Sequence, residues 1–292
     1  LGLAVPIANA LGVRINTNPD SGNIRLSVPE WGIACENIDA TAGGIEAITD
    51  TILKRLQIGS SSFHIEVTAP YAAGMGLGAS ASYAVALIRA LDAHFGLGLD
   101  DEQVNDHAFA AEKIAHGQPS GIDNTLATYG QALAFQRGDP TCIEPLAIAE
   151  PLELVVALAT STRATSDMVA KVGELKDELP SSTESVLDAC HQLSTDARAA
   201  LMSGDLDALG SLMSMNHGLL AALGVSTREL DDMVATAIDA GALGAKLTGG
   251  GGGGAIVAIC TQASVDNVRA AFEADTIRSF HIHVDKNEIA TL

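Results

Sequence analysis

The stretch Val67–Leu87, VTAPYAAGMGLGASASYAVAL, constrains this chain more than any other, because glycines at alternate positions, Gly74, Gly76 and Gly78, interrupt a passage from strand to helix. Phe63–Val67 alternates apolar and polar residues and reads as a strand that stops at Pro70. From Ser80 to Phe95 the residues are apolar on most faces, as in a buried helix, and Gly96 and Gly98 end it. Glycine removes side chains where backbone must approach a ligand, and a helix start offers unpaired N–H groups and the positive end of its dipole. The spacing therefore predicts an anion cradle with the hydroxyls of Ser80 and Ser82 directly behind it, as a phosphate and metal site requires. An ordinary Gly-rich turn is the alternative, and a second glycine run at Gly249–Gly254 weighs against it. The string is not a P-loop, since G-x-x-x-x-G-K-S/T is absent, nor a dinucleotide fingerprint, since the spacing after Gly76 is wrong.

The residues P-Y-A-A-G-M-G-L-G-A-S-A resemble the G-L-G-S-S-A phosphate loop of the GHMP small-molecule kinases, which include galactokinase, homoserine kinase, mevalonate kinase and phosphomevalonate kinase. Glu112–Asn124, EKIAHGQPSGIDN, is similar to the mevalonate kinase signature E-x3-H-G-x-P-S-G-x-D-N, and Lys246–Gly254, KLTGGGGGG, to its K-L-T-G-A-G-G-G-G. SMNHGLLAALGVS resembles the N-x-x-L-L-x-x-L-G-V-S segment of the same enzymes. Position 79 is Ala where the family usually has its first Ser, which leaves Ser80 in place. No initiator Met begins the chain, and the family's A-x-G-K-x-x-L-x-G-E-H segment, expected before a strand such as Leu3–Ile7, has no match. The expectation is a chain truncated at its N-terminus, without the segment that carries a catalytic Lys and substrate-contacting Glu and His in the family.

The resemblance implies an α+β, two-domain GHMP kinase fold. An N-terminal domain over 1–152, N-terminally incomplete, would carry the ATP-binding loop on a mixed, ribosomal-protein-S5-like sheet. A ferredoxin-like C-terminal domain over 153–292 would have helices on one side of its sheet. Pattern alone supports only the mixed class. The chemistry implied is phosphoryl transfer from ATP to a hydroxyl, in which the protein positions groups and neutralises charge. ATP would lie on Gly74, Gly76, Leu77, Gly78, Ala79 and Ser80. The Ser80 hydroxyl and the Glu112 carboxylate would hold Mg²⁺, and Asp123 would accept the proton of the attacking hydroxyl. Substrate contacts map to Asp123, Thr165 and Gly249. The motifs together favour mevalonate, phosphorylated on its 5-hydroxyl in isoprenoid biosynthesis, over galactose or homoserine, with phosphomevalonate kinases and other mevalonate-pathway relatives as the nearest alternatives. A non-catalytic sensor on the same scaffold is the alternative of another class, and a homodimer is the candidate assembly.

The residues carry their own alternatives. Asp123 reads equally as the N-cap of a helix starting at Asn124 or Thr125. Thr165 sits in TRATSDMV, which reads as a polar turn before a helix. The glycine run could be a flexible linker, but strand and helix patterns flank it tightly. Glu112, near the C-terminal end of the helical pattern Asp101–Ala115, opposes the dipole and gains nothing there as surface decoration.

A net charge of −20 repels nucleic acid and anionic membrane surfaces, yet leaves room for an anionic substrate held locally by backbone N–H groups and a cation. Salt adaptation and an ordinary acidic cytoplasmic protein both fit that charge. With 292 residues, 47% hydrophobic and only 3% aromatic, the core must be filled by Ala, Val, Leu and Gly. Cys35, Cys142, Cys190 and Cys260 lack zinc or disulfide spacing and read as small buried hydrophobes. The sequence shows no membrane-length apolar stretch and no signal peptide, which points to the cytoplasm. The patterns further predict strands in Leu1–Val28 broken by a turn at Asn18–Gly22, a packing helix over Ala40–Leu56, a strand over Gln131–Phe135 and a buried strand in LELVVALAT. Two long helices are expected between Ser181 and Leu223, joined near Ser203–Asp205, then a helix over Thr227–Ala240, a strand at AIVAIC and a last helix and strand. His281 and His283 share one face of that last strand and read as ordinary strand residues.

Overall fold

The computed structural model describes residues 1–7, 11–17, 23–59, 62–69, 75–116, 119–136, 138 and 141–286. Pro70, Gly74 and the turn expected at 18–22 lie outside them. In chain order the first elements are β1 (Gly2–Ala4), β2 (Gly12–Thr17), β3 (Ile24–Val28), β4 (Ile33–Cys35), α1 (Gly44–Arg55), β5 (Phe63–Thr68), α2 (Ala79–Phe95), α3 (Asp101–His116) and α4 (Ile122–Tyr129). They are followed by β6 (Leu133–Gln136), β7 (Cys142–Pro145), β8 (Leu152–Leu158), α5 (Thr165–Glu178), α6 (Pro180–Ser203) and α7 (Leu206–Ala222). The last are α8 (Arg228–Asp239), β9 (Gly244–Thr248), β10 (Ala255–Cys260), α9 (Val265–Ala274) and β11 (Ser279–Val284).

These elements form two compact units that interleave along the chain: Ala8–Ala73 with Gly78–Gly130, and Leu1–Ile7 with Gly74–Leu77 and Gln131–Leu292. This partition differs from a single cut at 152/153 because β1, β6 and β7 make a three-stranded antiparallel sheet that groups with the C-terminal elements.

The first unit is built on a four-stranded mixed sheet in the order β2-β5-β3-β4, with β5 parallel to β3 and antiparallel to β2. On β5 the period-2 pattern does what it predicts: Phe63, Ile65 and Val67 are buried, while His64 meets Ser27 at 2.9 Å and Glu66 accepts from Asn16 at 2.8 Å. The face so formed packs with α2, whose Leu87, Ile88 and Leu91 are fully buried. Each such side chain contributes about 1.5–3 kcal/mol over exposure. Tyr83 is buried with them, its hydroxyl paired at 2.6 Å with Thr49 Oγ1, and burial raises its phenol well above the ordinary value. Gly96, in the left-handed region, ends α2 with its N–H on the Asp92 carbonyl. At the start of α3, Asp100 accepts from Gln103 N–H at 2.8 Å and Gln103 accepts from Asp100 N–H at 3.0 Å, a reciprocal cap that fixes the turn between the two helices.

The second unit is organised on an antiparallel sheet in the order β11-β8-β10-β9. All seven residues of β8 are buried, as a continuous apolar run predicts for a strand covered on both faces. Helices α8 and α9 cover the face carrying Val155, Ala157, Ile256 and Ala258, through Leu230, Met233, Ala237, Val268 and Phe272. Helix α7 runs along β9, an edge strand whose outward N–H groups would otherwise stand open. The cysteines are free, but only Cys260 is buried, and Cys142, expected inside, is exposed on β7 beside Glu144. Among the described residues no helix is long and apolar enough to cross a membrane.

Candidate active site

In the first unit, Gly78 turns the chain with φ +66° and α2 begins at Ala79, one residue before the predicted start. No described side chain caps that helix N-terminus, so its first N–H groups keep the character of an anion site. Ala79 is buried, and Ser80 on the next position donates its hydroxyl to Glu112 Oε1 at 2.5 Å. Glu112 reaches this place from the penultimate turn of α3 and is only 3% exposed. A buried carboxylate is costly unless hydrogen-bonded, so the Ser80 contact ties the two helices at this point.

Asp123 is exposed and stands beside the same turn: a Cβ built on Gly78 would lie 3.5 Å from its Cγ. The expectation that Asp123 could cap a helix starting at Asn124 or Thr125 is corrected here. Gly121, with φ +86°, is the cap, α4 begins at Ile122, and Asp123 lies in the first helical turn, where its charge suits the dipole. The helix is held by buried contacts on its other faces. Asn124 pairs with Asn105 of α3 at 2.7 Å, Thr125 donates to the Gly121 carbonyl at 2.7 Å, and Arg89 of α2 bonds both Asp101 and the Thr128 carbonyl at 2.9 Å. Asp123 is thus presented outward from a rigid support. Gly78, Ala79, Ser80, Glu112 and Asp123 are brought together in one unit.

In the second unit the glycine run is packed on all sides. Gly76, with φ +73°, lies against Gly249: a Cβ on Gly249 would come within 3.0 Å of the Gly76 Cα. Only glycine fits either place, and the two predicted loops meet there backbone to backbone. Further along, Gly252 donates to the Val225 carbonyl at 2.8 Å and Gly254 to the Ser161 carbonyl at 2.8 Å, while Ala159 donates back to Gly254 at 2.8 Å. Thr165, the exposed first residue of α5 rather than part of a preceding turn, sets its side chain against Gly250, where a Cβ would come 2.8 Å from its Oγ1. Gly76, Leu77, Gly249 and Thr165 therefore belong to this unit, and the run is a braced loop and not a linker.

Two polar clusters were not singled out by the sequence. His217 of α7 accepts from the Leu247 N–H through Nδ1 at 3.3 Å and meets Asp231 through Nε2 at 3.1 Å, and Ser226 donates to the same carboxylate at 2.5 Å. Burial lowers the His217 imidazole, Asp231 opposes this, and Lys246 adds to it. Lys246 itself is pulled by burial from the ordinary lysine value to about 8. The signal for this cluster was the N-H-G-L-L of the α7 motif. The second cluster is at the far strand: His281 and His283, read as ordinary, both bond Glu153 of β8, at 2.5 and 2.8 Å. Among the described residues no three His, Cys, Asp or Glu side chains are placed to hold a metal ion.

Residues 45–131 match the family described as "GHMP kinases N terminal domain" and residues 197–277 match "GHMP kinases C terminal". The chain is 37% identical over 235 residues to mevalonate kinase of Pyrococcus horikoshii, covering 79% of this chain and 68% of that protein. It is 36% identical over 282 residues to mevalonate kinase of Pyrococcus abyssi, covering 87% and 81%. Among solved structures, L. major mevalonate kinase in complex with R-mevalonate superposes with a TM-score of 0.87 at 31% identity, over 98% of this chain and 89% of that one. Motifs, fold and relatives converge: the chain belongs to the GHMP kinase family, among small-molecule kinases of the mevalonate kinase type.

Proposed function

We propose that this protein transfers the γ-phosphoryl group of ATP to the 5-hydroxyl of mevalonate, giving 5-phosphomevalonate. The observation that carries the chemistry is the convergence of the Ser80–Glu112 pair and the Asp123 carboxylate on the turn at Gly78. The relatives, mevalonate kinases, carry the choice of acceptor. In this reading the N–H groups from Gly76 to Ser80 hold the phosphates, and Gly249 keeps Gly76 in place. Asp123 orients the attacking hydroxyl and takes its proton, which then leaves the oxygen that becomes the phosphate ester. Thr165 contacts the acceptor.

The donor set fits Mg²⁺, a hard cation that is commonly held by one or two carboxylates together with substrate phosphates and water. Here a hydroxyl and a buried carboxylate already share one spot at the helix start, so Ser80 and Glu112 would hold the ion. When bound, it would neutralise charge developing on the phosphates. The working domain division, 1–152 and 153–292, and a cytoplasmic setting belong to the same proposal. The two family matches fall on either side of that boundary.

The test is acceptor profiling with ATP and Mg²⁺ across mevalonate, phosphomevalonate, galactose and homoserine, with the product identified by ³¹P NMR. Mevalonate is expected to give the highest kcat/KM, and a clear preference for another acceptor would overturn the assignment.

A further inference from the structure

We infer that His217 is a positioning residue for the nucleotide, acting as a neutral hydrogen-bond acceptor that fixes the strand leading into the Gly249–Gly254 loop. The inference rests on the kinase reading above and adds to it a residue of α7 that lies outside both glycine loops.

The tautomer follows from the partners. Leu247 N–H is a donor, so Nδ1 of His217 must be unprotonated, and the ring proton sits on Nε2, aimed at Asp231 Oδ1. Asp231 is in turn held by the Ser226 hydroxyl. Leu247 is on the edge strand β9, two residues before Gly249, and Gly249 is the glycine packed against Gly76. A displaced Leu247 N–H therefore moves the residue that seats the first glycine loop. The same motif grips the run a second time: Val225, at the end of the α7 segment, accepts from Gly252 N–H at 2.8 Å. Helix α7 and the segment that follows it thus hold the loop at its entrance by the His217 side chain and at its middle by the Val225 carbonyl. The side-chain grip is the part that substitution can remove.

Two near-isosteric substitutions separate the two nitrogens. His217→Asn places an amide oxygen near the Nδ1 position and keeps the acceptor for Leu247, while losing reach to Asp231. His217→Gln extends to the Nε2 position and keeps Asp231, while losing the acceptor. The measurement is calorimetric affinity for a non-hydrolysable ATP analogue with Mg²⁺, alongside hydrogen exchange of the amides of 247–254 and thermal unfolding of each variant. The expected result is an affinity about tenfold weaker and faster loop exchange in His217→Gln, with His217→Asn within about twofold of the parent. Tenfold corresponds to about 1.4 kcal/mol, the scale of one hydrogen bond. A purely structural role would lower the melting temperature of both variants without separating their affinities. Equal affinity of the two variants, with the parent binding normally, overturns the inference alone. A parent chain that binds no analogue overturns the kinase reading and this inference with it.

Discussion

Ser80 and Glu112 are 32 positions apart, yet the structure puts an oxygen of each within 2.5 Å. Their partnership was legible because both positions fall in recognisable motifs. If they hold Mg²⁺, Glu112→Gln weakens one ligand while keeping its size. The metal concentration for half-maximal activity should then rise about tenfold, and excess Mg²⁺ should recover part of the rate. A magnesium titration unchanged by the substitution would remove Glu112 from the metal site. Asp123 was harder to read, since a carboxylate just before a helical pattern is an excellent cap. What decided it was Gly121 in the left-handed region, a backbone choice that sequence propensity does not announce. His217 was harder still. Its partners lie 14 and 30 positions away and are a carboxylate and a backbone N–H, so no local period reveals them.

At the scale of elements, most helices and strands follow from period and punctuation, and the pairing between them does not. The run LELVVAL announces a buried strand, but not that its one charge, Glu153, is buried between β10 and β11 and met by two histidines from β11. Burial pushes the Glu153 carboxyl up, and the bonds from His281 and His283 more than reverse it, leaving it below 4.5. Bonds to Glu153 and Asp285 raise His283 above 6.5. A lowered carboxyl stabilises the fold above its unfolded value and loses this as pH falls through the folded one. A raised imidazole stabilises below its unfolded value and loses this as pH rises through the folded one. The clamp on β11 is therefore strongest between about pH 4.5 and 6.5. The melting temperature, relative to His283→Asn, should show its largest excess in that window and lose it above neutral pH. A constant difference across pH would show that the ion pair adds nothing. The three-stranded β1-β6-β7 sheet was equally hidden, since β1 finds its partner across the whole first unit.

For the whole molecule, charge and identity of the chemistry are separable questions. With a net charge of −20, self-repulsion opposes the compact state. At molar KCl the screening length falls to about 3 Å, so the melting temperature should climb by several degrees from low to molar salt. A flat profile would reduce the charge to a surface trait without energetic weight. In the proposed reaction, phosphoryl transfer occurs at the turn at Gly78, with Ser80, Glu112 and Asp123 around it. Asp123→Asn tests it most directly, because it keeps the size and the helix while removing the proton acceptor. Single-turnover rates and ATP-analogue affinity should be measured together on the same preparation. Nucleotide affinity should be unchanged and turnover lower by about 10²- to 10⁴-fold, the range of a lost general base. Turnover left intact would contradict this placement and put the chemistry elsewhere.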